Sequence, residues 1–291
     1  MVLLILGAVV DGVLIGLAYG LVAAGLGLIW GVMDIVNFAH GEHMLIAMYV
    51  TLLASANFNV SPIILLPVNA ALMFVVGYGT YVIIIKRTMD GPVLGQVLCT
   101  FGLLLGIRYG IIYFAGPSTR TVNNFVVAGS TTAYGISVSY PAVLTAIVSL
   151  LTIGLLYLIL QRSSVGKAIR ATAQDKQAAK VMGINTNRIY ATSWGIGLAA
   201  TGIAGTMIAT HFPIQPNATP GIWTIASFAA VALGGLGSIF GAVIGGVVIG
   251  LVQNIGASLL DPSYQQLYVY IVLIVALLYQ REGILSWVSD Q

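Results

Sequence analysis

The chain has 291 residues, of which 59% are hydrophobic and only 7% are charged, and its mean hydropathy is +1.02. Soluble domains carry about 25% charged residues, so this composition excludes a soluble globular protein and indicates an integral membrane protein. The net charge of +3 is too small to indicate a nucleic-acid partner, and the single cysteine excludes a disulfide framework or a cysteine-based metal site.

Long, uninterrupted apolar runs favour membrane-spanning helices over a β-barrel, which needs shorter alternating segments. At about 20 residues per crossing, we predict an all-α polytopic membrane protein with eight or nine transmembrane segments in a single domain, 1–291. The first run, 2–30, is too long and lacks the basic start of a cleaved signal peptide, so we expect it to be retained. Within it, Gly12, Gly16 and Gly20 recur every four residues and predict close helix packing.

Residues 33–43 interrupt the apolar sequence with ionisable side chains, which are costly inside a membrane unless they are paired or functional. Three interpretations are open at this stage. The segment is a broken or re-entrant helix whose polar groups line a cavity, a tight turn whose polar groups satisfy one another, or a metal site formed by two histidines. The metal site is the weakest, because two histidines without a third ligand are a poor match to known sites. The polar residues are Asp34, Asn37, His40, Glu42 and His43, of which Asn37, His40 and Glu42 are the candidate pathway or helix-break residues.

An arginine lies inside a later apolar run. Two basic residues at 86–87 end the preceding run, and the next run, 93–115, contains Arg108. A cation in the middle of a span is expected to face the bundle interior and to pair with an acid, here Asp34 or Glu42. We favour a structural ion pair over a substrate contact and name Asp34 as the candidate partner.

The most strongly charged stretch, 161–188, holds six of the eleven Lys and Arg residues. Asp175 is placed to cap a short helix, and Gly183 suits the positive φ that follows a helix C-terminus. We predict two short helices across the membrane face, the first at 165–173, with small side chains that let a partner approach. The candidate partner-contact residues are Lys167, Arg170, Asp175, Gln177, Ala178, Ala179 and Gly183.

A glycine cluster at 234–238 interrupts the later apolar sequence and permits a second broken helix that lines a cavity. We name Gly234, Gly235 and Gly237 as further candidate pathway or helix-break residues. The run before the cluster, 222–233, is too short to cross the membrane unaided. Interruptions in both halves of a membrane protein point to a transport site.

Basic residues predict the orientation, because they concentrate on the cytoplasmic side. The residues at 86–87, the 161–188 loop and Arg281 place the C-terminus in the cytoplasm. The polar loop 116–140 is then external, and its short β-prone runs predict a small hairpin or a docking surface for an external partner. The side of the N-terminus is undetermined: a re-entrant segment at 33–43 gives eight crossings, and otherwise there are nine.

Motifs of common enzymes do not occur. The sequence has no G-x-x-x-x-G-K-[ST] phosphate-binding loop, no H-E-x-x-H and no Ser-His-Asp spacing. We therefore predict a protein that is not an enzyme, with no catalytic residues, no metal and no cofactor bound by this chain.

Four short motifs follow one another along the chain: N-F-A-H-G-E at 37–42, R-A at 170–171 with A-A-K-V-M-G-I-N at 178–185, G-I-A-G at 202–205, and G-G-L-G-S at 234–238. Together they resemble the membrane permease subunits of bacterial branched-chain amino acid ABC transporters. The segment 177–183 also resembles the broader E-A-A-x-x-x-G coupling motif of importer permeases, with Gln177 in place of the glutamate.

The resemblance implies a division of labour in the bacterial inner membrane. Two permease subunits would form the channel, two ATPase subunits carrying ATP and Mg would dock on the 161–188 loop, and an external binding protein would deliver a hydrophobic amino acid. Two alternatives stay open. One is a permease for urea or short-chain amides. The other is a stand-alone proton-coupled secondary transporter that uses Asp34, His40, Glu42 and His43 as a relay.

Overall fold

The computed structural model describes residues 2–89, 91–122, 127–133, 135–235 and 237–279. Arg281 and the C-terminus, which carry part of the orientation prediction, lie outside this range, as does residue 236 of the glycine cluster. The helices are α1 Val2–Met33, α2 His40–Phe58, α3 Pro62–Ile83, α4 Val93–Ala115, α5 Tyr140–Arg162, α6 Ser164–Gln174, α7 Lys176–Val181, α8 Thr186–Ile208, α9 Thr219–Gly234, α10 Ile239–Leu259 and α11 Gln265–Tyr279, with 3₁₀ turns η1 Ile85–Thr88 and η2 Pro262–Tyr264 and strands β1 Ser130–Ala133 and β2 Ile136–Ser139.

Within the described residues, five helices are long and apolar enough to cross a membrane: Leu3–Met33, Pro62–Thr88, Val93–Ala115, Tyr140–Arg162 and Ile239–Leu259. Two shorter apolar helices, Thr219–Gly234 and Pro262–Leu278, accompany them. The predicted all-α polytopic membrane protein is confirmed. The number of crossings, eight or nine, stays a prediction.

The bundle has two distinct ends. At one, which we call the basic end, α6 and α7 lie beside the last residues of α1, where Lys176 contacts Asp34. At the other, the hairpin end, β1 and β2 lie beside the first turns of α1, and Ile136 is the nearest neighbour of Gly7. Helix α1 therefore runs from the hairpin end, where Val2 begins it, to the basic end.

Glycines bring α1 and α10 into backbone contact, as the spacing of Gly12, Gly16 and Gly20 predicts. A Cβ added to Gly16 would lie 2.6 Å from the Cα of Val247, and one added to Gly246 would lie 2.3 Å from the nitrogen of Gly20. Both distances are shorter than any real Cβ contact, so only glycine permits this approach. Close packing of small residues is a principal source of helix association in lipid.

The predicted hairpin in the 116–140 loop is present. Strands β1 and β2 pair antiparallel, with Ser130 opposite Ser139. A backbone bridge also joins Arg120 to Ile214, so this loop is tied to the segment between α8 and α9 at the hairpin end.

Helix α4 is the least embedded of the long helices. Thr100 is its one buried residue, and the rest of the helix is exposed or half-buried. A helix with so little packing inside its own chain is expected to contact lipid or another subunit in the membrane.

Candidate functional site

Helix α2 begins in the interior of the bundle. After α1 ends, the chain turns at Asp34, whose φ of +58° is unusual for a residue other than glycine, and 34–39 runs back into the bundle without helical structure. The His40 Nε2 then lies 3.0 Å from the carbonyl oxygen of Val22. Val22 is about 11 residues, or roughly 16 Å, from the end of α1. Helix α2 therefore starts roughly halfway through a hydrocarbon core of about 30 Å.

Helix α9 begins at the same depth and runs the opposite way. The backbone N–H of Gly41 donates to the Thr224 hydroxyl over 2.9 Å, and a Cβ on Gly41 would lie 2.1 Å from the carbonyl oxygen of Pro220. From this crossing α2 continues to the hairpin end, whereas α9 continues to the basic end. The positive N-terminal ends of α2 and α9 therefore meet inside the bundle, and membrane transporters use such helix ends at their transport sites.

The structure places the second mid-bundle break elsewhere than the sequence indicates. A helix does end at Gly234, and Gly235 and Gly237 have φ of +89° and +81°. This is the turn between α9 and α10, however, and Gly237 lies against Gly31 near the basic end. The segment that matches 34–39 is instead 209–218, between α8 and α9. It leads from the end of α8 back into the bundle.

The polar residues of 33–43 are partly satisfied by their neighbours. Asn37 Oδ1 accepts from the backbone N–H of Ala39, and the His43 Nδ1 donates to the Ala39 carbonyl over 2.7 Å. The His40 Nε2 must carry a proton, because it approaches the Val22 carbonyl oxygen, which only accepts.

Four buried polar atoms near the crossing have no hydrogen-bond partner: Asn37 Nδ2, His40 Nδ1, Glu42 Oε2 and His43 Nε2. Buried polar atoms without partners are uncommon and mark strain, function or an unseen water. No group of three or more His, Cys, Asp or Glu residues suited to hold a metal ion occurs in the part of the chain that the structure describes.

The predicted pairing of Arg108 with Asp34 is wrong. Arg108 pairs with Glu42, the other acid considered, whose side chain is only 1% exposed. Asp34 instead pairs with Lys176 of α7 at 3.1 Å, and its side chain is 81% exposed. The reason is depth: Asp34 lies at the basic end, whereas Arg108 is near the middle of α4, level with the start of α2.

The short helices of the 161–188 loop have the local chemistry that the sequence predicts. The Asp175 carboxylate accepts from the backbone N–H groups of Gln177 and Ala178 and so caps α7. Gly183 follows the helix with φ of +83°, and the N–H of Ile184 reaches back to the Ala179 carbonyl oxygen in a Schellman motif.

Helix α7 presents a surface that the sequence analysis only partly anticipates. Gln177, Ala178 and Gly183 are exposed as expected, but Ala179 is buried at 4% exposure. Two residues absent from the predicted set dominate the exposed tip, because Val181 and Met182 are 86% and 80% exposed. The sequence feature that could have indicated this exposed tip is the pair of apolar residues between Lys180 and Gly183.

Comparison with known proteins identifies the family. The family model described as "Branched-chain amino acid transport system / permease component" matches residues 8–277. The chain belongs to this family. The match includes the mid-bundle crossing and both short helices of the 161–188 loop.

The permease is similar to curated proteins over nearly its full length. It is 30% identical to the high-affinity branched-chain amino acid transport system permease protein BraD of Pseudomonas aeruginosa, over 95% of this chain and 94% of that protein. It is 26% identical to the permease protein LivH of Escherichia coli K12, over the same shares. Among solved structures, PsaBC from Streptococcus pneumoniae in complex with Fab aligns with a TM-score of 0.48 at 13% identity, covering 95% of this chain and 94% of that chain.

The permease also has a cleft at its hairpin end that the sequence analysis missed. Two adjoining cavities of about 230 and 260 Å³ share Ile15, Phe212 and Asn254 as lining residues. One contains the carboxylate of Asp11, and the other extends to Trp223 near the start of α9. The sequence feature that could have indicated this cleft is Asp11, a single acidic residue within an apolar run. The cleft leads from the hairpin end towards the mid-bundle crossing.

Proposed function

We propose that this chain is the transmembrane subunit of an ATP-binding-cassette importer for branched-chain amino acids. In this proposal two permease subunits form the translocation pathway, two ATPase subunits bind at the basic end, and an external binding protein delivers the amino acid at the hairpin end. The family membership and the curated relatives named for branched-chain amino acid transport support the substrate class. ATP and Mg belong to the ATPase subunits, because this sequence has no phosphate-binding loop.

The observation that carries the proposal is the surface of α7. Val181 and Met182 expose their apolar side chains beside the Schellman turn, on a helix that Asp175 caps. Exposed apolar patches rimmed by polar residues mark protein interaction sites. Helix α7 begins one residue after α6 ends, and α6 is anchored by a hydrogen bond from Arg170 to the Leu160 carbonyl oxygen. A partner protein that binds this tip can therefore transmit its movement to the bundle.

The ion pair between Lys176 and Asp34 connects α7 to the bundle and can transmit such a movement. Lys176 is the first residue of α7, and Asp34 is the first residue of the segment 34–39, which leads to the start of α2 inside the bundle. Motion of α7 would thus reach the start of α2 through the six residues of 34–39. Conformational changes in proteins travel through packed elements that move as units.

The orientation follows from the two ends of the bundle. The basic end carries 86–87 and the 161–188 loop and is assigned to the cytoplasm. Counting 34–58 and 209–234 each as one traversal gives nine crossings, with the N-terminus outside and the C-terminus in the cytoplasm of the bacterial inner membrane. The whole chain is then one permease domain, with 161–188 as its coupling loop and 116–140 as an external loop.

Neither alternative function has an observation in its favour. The proton relay needs Asp34 beside the histidines, but Asp34 is at the surface of the basic end and His40 is at the mid-bundle crossing. For urea or amides, no feature of the described residues indicates a site for so small a polar solute.

The test is uptake of radiolabelled leucine by cells that express the complete transport system with a variant of this chain. Val181→Asp with Met182→Asp is expected to abolish uptake while the amount of permease in the membrane stays unchanged, because charges replace the apolar contact of α7. Arg87→Gln is the matched control, since Arg87 is exposed on η1 at the same end but outside the loop. Normal uptake by the double variant would refute the proposed docking surface.

A further inference from the structure

A cavity of about 410 Å³ lies at the basic end, between the bundle and α6. Such a volume is within the range of small-molecule sites, roughly 300–1,000 Å³. Its walls come from the last turns of α1 and α5, from α6, and from the start of α10. The lining includes Tyr157, Gln161, Arg170, Ala173, Gln174 and Phe240.

The cavity opens between two helix faces that have the character of lipid-facing surfaces. Leu155 and Leu158 on α5 are 55% and 49% exposed, and Ile244 on α10 is 49% exposed. Tyr157 and Phe240 meet across the gap with ring centroids 5.1 Å apart. Aromatic rings of this kind concentrate where the hydrocarbon meets the polar boundary of a membrane.

The buried part of the cavity lining is apolar. It consists of Leu28 and Val32 of α1, Leu160 of α5 and Ile169 of α6. An acyl chain can lie against this apolar wall and the exposed apolar side chains of α5 and α10.

The more exposed part of the cavity lining is polar and positive. Arg170 is the one charged residue in its lining, with the amides of Gln161 and Gln174 beside it. One N–H of the guanidinium donates to the Leu160 carbonyl oxygen, and an arginine has five N–H donors, so others remain for a ligand. The N-terminus of α10, capped by Ser238, adds the positive end of a helix dipole.

We propose that this cavity binds an anionic phospholipid of the adjacent leaflet, with its phosphate on Arg170 and an acyl chain against the exposed faces of α5 and α10. Guanidinium and phosphate match in charge and in bidentate geometry. Basic pockets between transmembrane helices at the cytoplasmic side bind anionic headgroups in this way. The lipid would hold α6 against the bundle, because Arg170 and Gln174 belong to α6. The proposal rests on the membrane location, not on the substrate.

The experiment counts the lipids that stay bound to the purified full-length chain in native mass spectrometry. The protein is equilibrated with equal amounts of phosphatidylglycerol and phosphatidylcholine in detergent and then partly delipidated. The wild type is expected to retain phosphatidylglycerol with about tenfold preference, the factor that one charge-assisted hydrogen bond supplies. Arg170→Gln is expected to lower the preference to about one.

Two further variants separate the site from general charge and from misfolding. Arg162→Gln removes an exposed cation of α5 that does not line the cavity, and it is expected to keep the preference. Ala173→Trp fills the cavity while keeping Arg170, and it is expected to lose the bound lipid. A wild type without preference, an equal loss in Arg162→Gln, or an undiminished preference in Ala173→Trp would each overturn the proposal. Displacement of the lipid by glycerol phosphate alone would instead assign the site to a soluble phosphate and also overturn it.

Discussion

The ion pair between Arg108 and Glu42 should respond asymmetrically to neutralisation of its two members. The Glu42 side chain is 1% exposed, whereas that of Arg108 is 21% exposed on the loosely packed helix α4. Arg108→Gln leaves a carboxylate buried without its cation, which costs about 3–5 kcal/mol of stability. Glu42→Gln keeps a carbonyl oxygen that can accept from the guanidinium, and the Arg108 side chain is less buried than Glu42, so it should cost only about 1–2 kcal/mol.

The assay is unfolding of the purified protein in detergent, followed by the fluorescence of its four tryptophans. The double variant Arg108→Gln with Glu42→Gln has no buried charge, so it should be more stable than Arg108→Gln alone by about 2 kcal/mol. Equal losses for the two single variants, or a double variant that merely adds them, would refute the assignment of Glu42 as a desolvated carboxylate held by Arg108.

Three further predictions concern local packing and helix ends. Gly246→Leu should destabilise the protein by at least about 3 kcal/mol in the same unfolding assay, because the new side chain would collide with the backbone of α1. Gly106→Leu is the control and should be neutral, because nothing lies within 4 Å of its Cβ position. Asp175→Ala should lose about 1 kcal/mol of α7 stability and speed its proteolysis, and Asp175→Asn should not. Gly183→Ala, at φ of +83°, should cost about 1 kcal/mol and speed cleavage at the same helix by limited proteolysis.

Features that depend on local chemistry were predictable from the sequence. The Asp175 cap, the positive φ of Gly183 and the close packing of Gly16 all follow from a residue type and its immediate neighbours. The hairpin in the 116–140 loop belongs to the same class. Each of these predictions is confirmed.

Features that depend on depth in the bundle were not predictable. Nothing in the sequence of 209–218 marks a return into the bundle, and only the contacts of Pro220 and Thr224 with Gly41 show that it leads to a helix that starts inside the bundle. The choice of Glu42 over Asp34 as the partner of Arg108 depends on how far α2 starts from the end of α1, which the composition does not encode. Exposure of Met182 likewise depends on which face of α7 packs against α6 and α8.

The central claim is that the tip of α7 docks an ATPase. Cys99 is the one cysteine of the chain, so a Cys99→Ser, Met182→Cys variant carries a single thiol on that tip. Cross-linking this thiol in membranes of cells with the complete transport system is expected to give one adduct whose partner contains a G-x-x-x-x-G-K-[ST] sequence. An Arg87→Cys variant in the same background should not give it. A thiol at Met182 that reacts with water-soluble reagents but forms no protein adduct would contradict the account.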